Sequence, residues 1–87
     1  MAGSTLSLYP NPCRSALTIA FDLPEISDVN LSVYNLSGIK MYTEKFQDQY
    51  SGDHKIQLNT SSYAEGFYVV IITTNKMNLK KNFIKLN

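Results

Sequence analysis

Leu17-Thr18-Ile19-Ala20-Phe21-Asp22-Leu23 sets an apolar side chain at every second position, with small or polar ones between. A period of two marks a strand with one face on a core and the other towards water. Pro24 follows and ends the ladder, because proline has no N–H to contribute. The alternation recurs on both sides. Upstream, Leu6 and Leu8 flank Ser7, and Pro10-Asn11-Pro12 stops that strand. Downstream, Val29, Leu31 and Val33 alternate with Asn30 and Ser32. Asn35-Leu36-Ser37-Gly38 then reads as a tight turn, since Asn suits the first position and Gly38 accepts a positive φ. A hairpin follows from it. The return strand holds Met41, Tyr42 and Phe46 in imperfect alternation, which predicts a bulge or an edge position.

Ser51-Gly52-Asp53 makes another turn, after which His54, Ile56 and Leu58 alternate with Lys55 and Gln57. The polar stretch from 59 to 65 is a connection, with Tyr63 expected to plug the core from it. Gly66 opens the most apolar run, Phe67 to Ile72. Its β-branched residues favour a strand over a helix, and its unbroken apolarity predicts a central strand covered on both sides. Phe83, Ile84 and Leu86 lie in a last strand. The sum is an all-β fold, an immunoglobulin-like β-sandwich of about seven antiparallel strands. Residues 1–4 read as an added leader, and 5–87 as one domain.

The composition agrees. The 87 residues suffice for one core, and six Tyr and four Phe favour strands. Eight basic against seven acidic residues leave a net charge of +1, which provides no footprint for nucleic acid. Lys80, Lys81 and Lys85 form a small basic cluster that either blocks edge-to-edge pairing or docks a partner. No apolar run is long enough for a membrane helix, and none suits a signal peptide. Were the protein exported, its signal peptide would have to lie elsewhere, on a larger precursor.

Catalytic chemistry is not visible. Cys13 and His54 form the one Cys/His pair, without a supporting constellation. The acids, Glu25, Asp28, Asp48, Asp53 and Glu65 among them, sit mostly in turns, as Asp prefers. No phosphate loop or metal spacing occurs, so neither a cofactor nor a metal is expected. The tyrosines, Tyr9, Tyr34, Tyr42, Tyr50, Tyr63 and Tyr68, are expected to fill the core rather than build a sugar-stacking platform. A carbohydrate-binding or adhesive sandwich module is the alternative reading.

The order of these motifs resembles the C-terminal sorting domain of type IX secretion cargo, type A, from Bacteroidetes. Leu6-Ser7-Leu8-Tyr9-Pro10-Asn11-Pro12 is similar to its opening box, and Leu17, Ile19 and Leu23-Pro24 follow at the expected distance. Val33-Tyr34-Asn35-Leu36-Ser37-Gly38 resembles its hairpin. Gly52-Asp53-His54-Lys55-Ile56-Gln57-Leu58-Asn59, Gly66-Phe67-Tyr68 and Lys81-Asn82-Phe83-Ile84 match later motifs. Asn87, after the last apolar residue, departs from the pattern.

The resemblance implies a folded signal, not an enzyme. It directs an N-terminal cargo from the periplasm through the outer-membrane translocon to the surface or beyond, and a sortase usually removes it. Tyr9, Pro10, Asn11, Pro12, Gly38 and Gly52 are then structural. Gly66, Tyr68, Lys80, Lys81, Phe83, Ile84 and Lys85 are expected to meet the translocon or sortase. An exposed terminal strand would add to a partner's sheet edge. The Tyr68 hydroxyl is expected to bond backbone, in the manner of a tyrosine corner. An exposed edge strand or a solvent-facing Cys13 would support a weak homodimer.

Overall fold

A computed structural model describes residues 5–87; the expected leader, 1–4, lies outside the described residues. The strands are β1 (Leu6–Tyr9), β2 (Ala16–Leu23), β3 (Ser27–Asn35), β4 (Lys40–Gln49), β5 (Gly52–Asn59), β6 (Gly66–Thr73) and β7 (Asn78–Lys85). They form two antiparallel sheets, one in the order β1-β2-β5 and the other β4-β3-β6-β7. No helix occurs among the described residues. The expected all-β sandwich of seven strands is what the chain adopts.

The alternation read from the sequence is the alternation of burial. Leu17, Ile19, Phe21 and Leu23 of β2 face Val29, Leu31 and Val33 of β3 and Val70, Ile72 and Phe83 of the same sheet, all within one buried cluster. Leu17, Ile19, Leu31, Val33, Val70, Ile72 and Phe83 are completely buried. The register between β2 and β5 is unbroken from Ala16↔Asn59 to Leu23↔Gly52. A slip by one residue there would turn every core side chain outward, and that fixes the pairing.

The predicted hairpin joins β3 and β4. Gly38 N–H donates to the Asn35 carbonyl at 3.0 Å, while Asn35 Oδ1 accepts from Ser37 N–H and Ile39 N–H, each at 2.9 Å. Gly38 stands at φ +81°, and a Cβ there would touch nothing within 4 Å. Backbone conformation, not space, therefore asks for glycine. β4 is an edge strand, and its register with β3 breaks between Ser27 and Val29 and again between Val33 and Tyr34. Its irregular sequence pattern has that origin. Asp48 lies at the first break with φ +53°, its N–H held by Asp28 Oδ1 at 2.9 Å.

Two expectations need correction. β6 is central, between β3 and β7, yet only its inner face is sealed. Val69 and Ile71 on the outer face are half-buried, and Phe67 is 53% exposed. A run of apolar residues shows that neither face is polar; it does not show that something covers both. The tyrosines do not all fill the core either. Tyr68 is buried, and Tyr42 and Tyr63 pack at the margin of the cluster. Tyr34 is half-buried on the outer face, and Tyr9 and Tyr50 are exposed.

Candidate functional site

The opening box carries the chain from β1 to β2 of one sheet and, on the way, lies along β7 of the other. β1 ends at Tyr9, and the Tyr9-Pro10 and Asn11-Pro12 peptide bonds are both cis. Between the two prolines, Asn11 acts as a substitute strand. Its Oδ1 accepts from Ile84 N–H at 2.9 Å, and its Nδ2 donates to the Asn82 carbonyl at 3.3 Å. Cys13 continues the contact in the backbone. Its N–H donates to the Ile84 carbonyl at 2.8 Å, and its carbonyl accepts from Leu86 N–H at 2.9 Å. These bonds form a parallel bridge to Lys85. The outer edge of β7 from 82 to 86 is thus already occupied, and that half of the strand does not add to a partner's sheet.

Cys13 is completely buried, which removes the expected solvent-facing thiol as a route to a dimer. Its Sγ lies 3.7 Å from Thr60 Oγ1, and that hydroxyl donates to the Arg14 carbonyl at 3.0 Å. Thr60 N–H in turn bonds the Ser15 carbonyl at 3.0 Å. His54 lies far along β5, opposite Phe21, stacked on it at 5.4 Å and against Tyr50 at 4.3 Å. Cys13 and His54 are therefore not a nucleophile and its base. No group of three His, Cys, Asp or Glu able to hold a metal occurs among the described residues.

Gly66-Phe67-Tyr68 lies beside the same corner. Gly66, at φ +151°, pairs with Lys85, and Tyr68 pairs with Phe83 on one side and Asn35 on the other. The Tyr68 hydroxyl donates to the Ala64 carbonyl at 2.6 Å, the backbone bond expected of it. Its ring stacks on Phe83 at 5.3 Å and meets Tyr63 at 5.2 Å. Burial, followed by the neighbouring Tyr68, holds the Tyr63 hydroxyl above its ordinary pKa.

Lys85 is only 3% exposed, and its Nζ donates to the Leu86 carbonyl at 3.1 Å and to Asn87 Oδ1 at 3.3 Å. Those acceptors offset the cost of removing an ammonium from water. Asn87 is itself held, its N–H by Glu65 Oε2 at 3.1 Å and its backbone oxygen by Arg14 Nη1.

Motifs far apart in sequence therefore converge on one end of a body measuring 37 × 22 × 19 Å. The opening box, the β3–β4 turn, Gly66-Phe67-Tyr68 and the end of β7 meet there. The chain enters from the other direction. Thr5 is held beside Asp22 by two bonds to its Oδ1, from Thr5 N–H at 2.7 Å and Thr5 Oγ1 at 3.1 Å. The Gly52 turn lies at that opposite end, where Gly52 pairs with Leu23 at φ +110°.

The residues expected to meet a partner divide into two groups. Tyr68, Phe83 and Lys85 are buried and hold the end together. Lys80 and Lys81 are exposed, and Gly66 and Ile84 are half-buried. Lys81 Nζ donates to the Leu6 carbonyl at 2.9 Å, which ties β7 to β1. The sequence reading missed Phe67, which faces outward at 53% exposure, paired with Ile84. Leu36, 73% exposed on the adjoining turn, belongs to the same apolar end. The available signal was parity, since Phe67 stands one position from the inward Tyr68.

A search among curated proteins gave no match. The family model described as "Secretion system C-terminal sorting domain" matches residues 7–86, almost the whole chain. Such domains are the sorting signal for type IX secretion and mark proteins for export to the cell surface or the medium. The fold, the ordered motifs and that match agree: this chain belongs to the family of type IX secretion C-terminal sorting domains.

Proposed function

We propose that the end of the sandwich opposite Thr5 is the surface the export machinery reads, and that a cargo occupies the Thr5 side. The carrying observation is the convergence of the opening box, the β3–β4 turn, Gly66-Phe67-Tyr68 and residues 82–86 at that end. In this reading Asn11, Tyr68, Phe83 and Lys85 shape the surface from within. Phe67, Ile84 and Gly66 form contacts with the translocon at that end; Lys80, paired with Ile71, and Lys81, bonded to Leu6, lie nearer the Thr5 side and extend the contact along β7. A surface sortase then separates the domain from its cargo. The domain itself performs no catalysis: Cys13 is sealed beneath Thr60, and His54 is engaged by Phe21 and Tyr50.

The test joins residues 5–87 to a periplasmic reporter in a host that has the machinery. The wild-type fusion is expected outside the cell. Phe67→Asp and Leu36→Asp lie on exposed positions of that end, so they are expected to leave folding intact and to strand the reporter in the periplasm. A folded double variant exported as well as wild type would sink the assignment of this surface. A wild-type fusion that stays in the periplasm would sink the transfer of the signal itself.

A further inference from the structure

The two sheets leave four outer edges, and three of them are guarded. β1 is only four residues long, and Lys81 Nζ caps its Leu6 carbonyl. β7 is covered at its end by Asn11 and Cys13. β4 is broken twice in register and carries Lys40, Glu44 and Lys45. Such bulges, charges and covers are how edge strands avoid pairing with other chains.

β5 has neither bulge nor cover, and its two charged side chains, Asp53 and Lys55, are of opposite sign. Its eight residues contain no proline, its register against β2 has no bulge, and among the described residues β2 is its one strand neighbour. Asp53, Lys55, Gln57 and Asn59 are exposed on its outer face, and Ile56 is half-buried on the inner one. From this we infer that β5 is a homodimerisation edge, pairing antiparallel with β5 of a second copy to make a continuous six-stranded sheet. A two-fold arrangement suits it, because one edge then supplies both sides of the contact.

The register follows from length and charge. Directly opposed residues point to the same face, so the inner side chains of one copy must meet inner side chains of the other. The longest overlaps place the axis at Lys55 or at Ile56. An axis at Lys55 opposes two lysines. An axis at Ile56 brings the half-buried Ile56 against the partner's Ile56 and sets Lys55 across from the partner's Gln57. Asp53 then faces the partner's Asn59, and no like charges meet. The interface is small, so association is weak and rises with concentration. The pairing does not use the end assigned to the export machinery.

The experiment is sedimentation of the 87-residue chain from about 10 μM to about 1 mM, with two charge variants at one exposed position. Gln57→Glu sets a carboxylate opposite each Lys55 and is expected to tighten the dimer about three- to tenfold. Gln57→Lys opposes lysines and is expected to weaken it by a similar factor. Circular dichroism should show both variants folded, since the site is outside the core. A chain that stays monomeric throughout overturns the inference. So does a dimer that ignores both changes, or a monomer that pairs instead with an added extended peptide. Because the readout is mass in solution, failure here leaves the export reading untouched, and failed export leaves this one untouched.

Discussion

Asn11→Ala removes two hydrogen bonds that join the opening corner to β7, the 2.9 Å bond from Ile84 N–H and the 3.3 Å bond to the Asn82 carbonyl. A net hydrogen bond contributes about 0.5–1.5 kcal/mol. Both lie near water, and the second is long, so their sum is about 1–2 kcal/mol. A domain of this size has roughly 4–13 kcal/mol in all, which makes that a visible fraction. The expected fall in Tm is about 4–16 °C. Urea unfolding would measure the loss, and hydrogen exchange would locate it, because the Ile84 amide should lose protection before the β3 and β6 amides do. Asn11→Asp keeps the acceptor for Ile84 N–H and should retain part of the stability. An alanine variant with unchanged midpoint and unchanged Ile84 protection would refute the view of Asn11 as a substitute strand.

Tyr68→Phe deletes the hydroxyl that donates to Ala64 at 2.6 Å while keeping the ring on Phe83; a loss of about 1 kcal/mol in denaturant unfolding is expected, and no loss would remove the tyrosine corner. Cys13 should resist a thiol reagent in the native protein and react on unfolding, because it is fully buried; rapid native labelling would contradict its place beneath Thr60. Asp22 is held below its ordinary pKa, chiefly by the Thr5 N–H bond. Its support for the start of β1 is therefore present above the unfolded carboxyl's pKa and is lost as pH falls through the lower folded value. Solvent screens this exposed pair, so the readout is local: the Thr5 amide resonance should move in that acid range, and Asp22→Asn should abolish the movement.

Alternating strands were legible because a period of two is written locally. Leu17 to Leu23 and Val29 to Val33 needed no knowledge of their neighbours, and Asn35 with Gly38 specified their turn by their own chemistry. Strand order was less visible. The irregular β4 sequence announced an edge or a bulge, but only the fold shows both. The outer face of β6 was misread because Phe67, Val69 and Ile71 look alike whether covered or bare.

The end of β7 was the hardest part. Phe83 and Lys85 are in the interior, and a fully buried Phe contributes about 3–5 kcal/mol relative to Ala. Removing residues 83–87 would therefore test folding before it tested recognition. What guards that strand is an asparagine 73 residues away, and no local pattern encodes such a contact.

That distance has a consequence for how the domain matures. The corner at Asn11 is made early in synthesis, but its partners at 82–86 are among the last residues of the fold to emerge. Until they arrive, the edge of β6 is bare, Cys13 has no cover from β7, and Tyr68 lacks its stacking partner. A chain halted before residue 82 cannot assemble the end where the motifs meet. In effect the sandwich authenticates its own completeness: only a finished domain displays that face, so an interrupted one would carry most of the sequence of the signal and none of its shape.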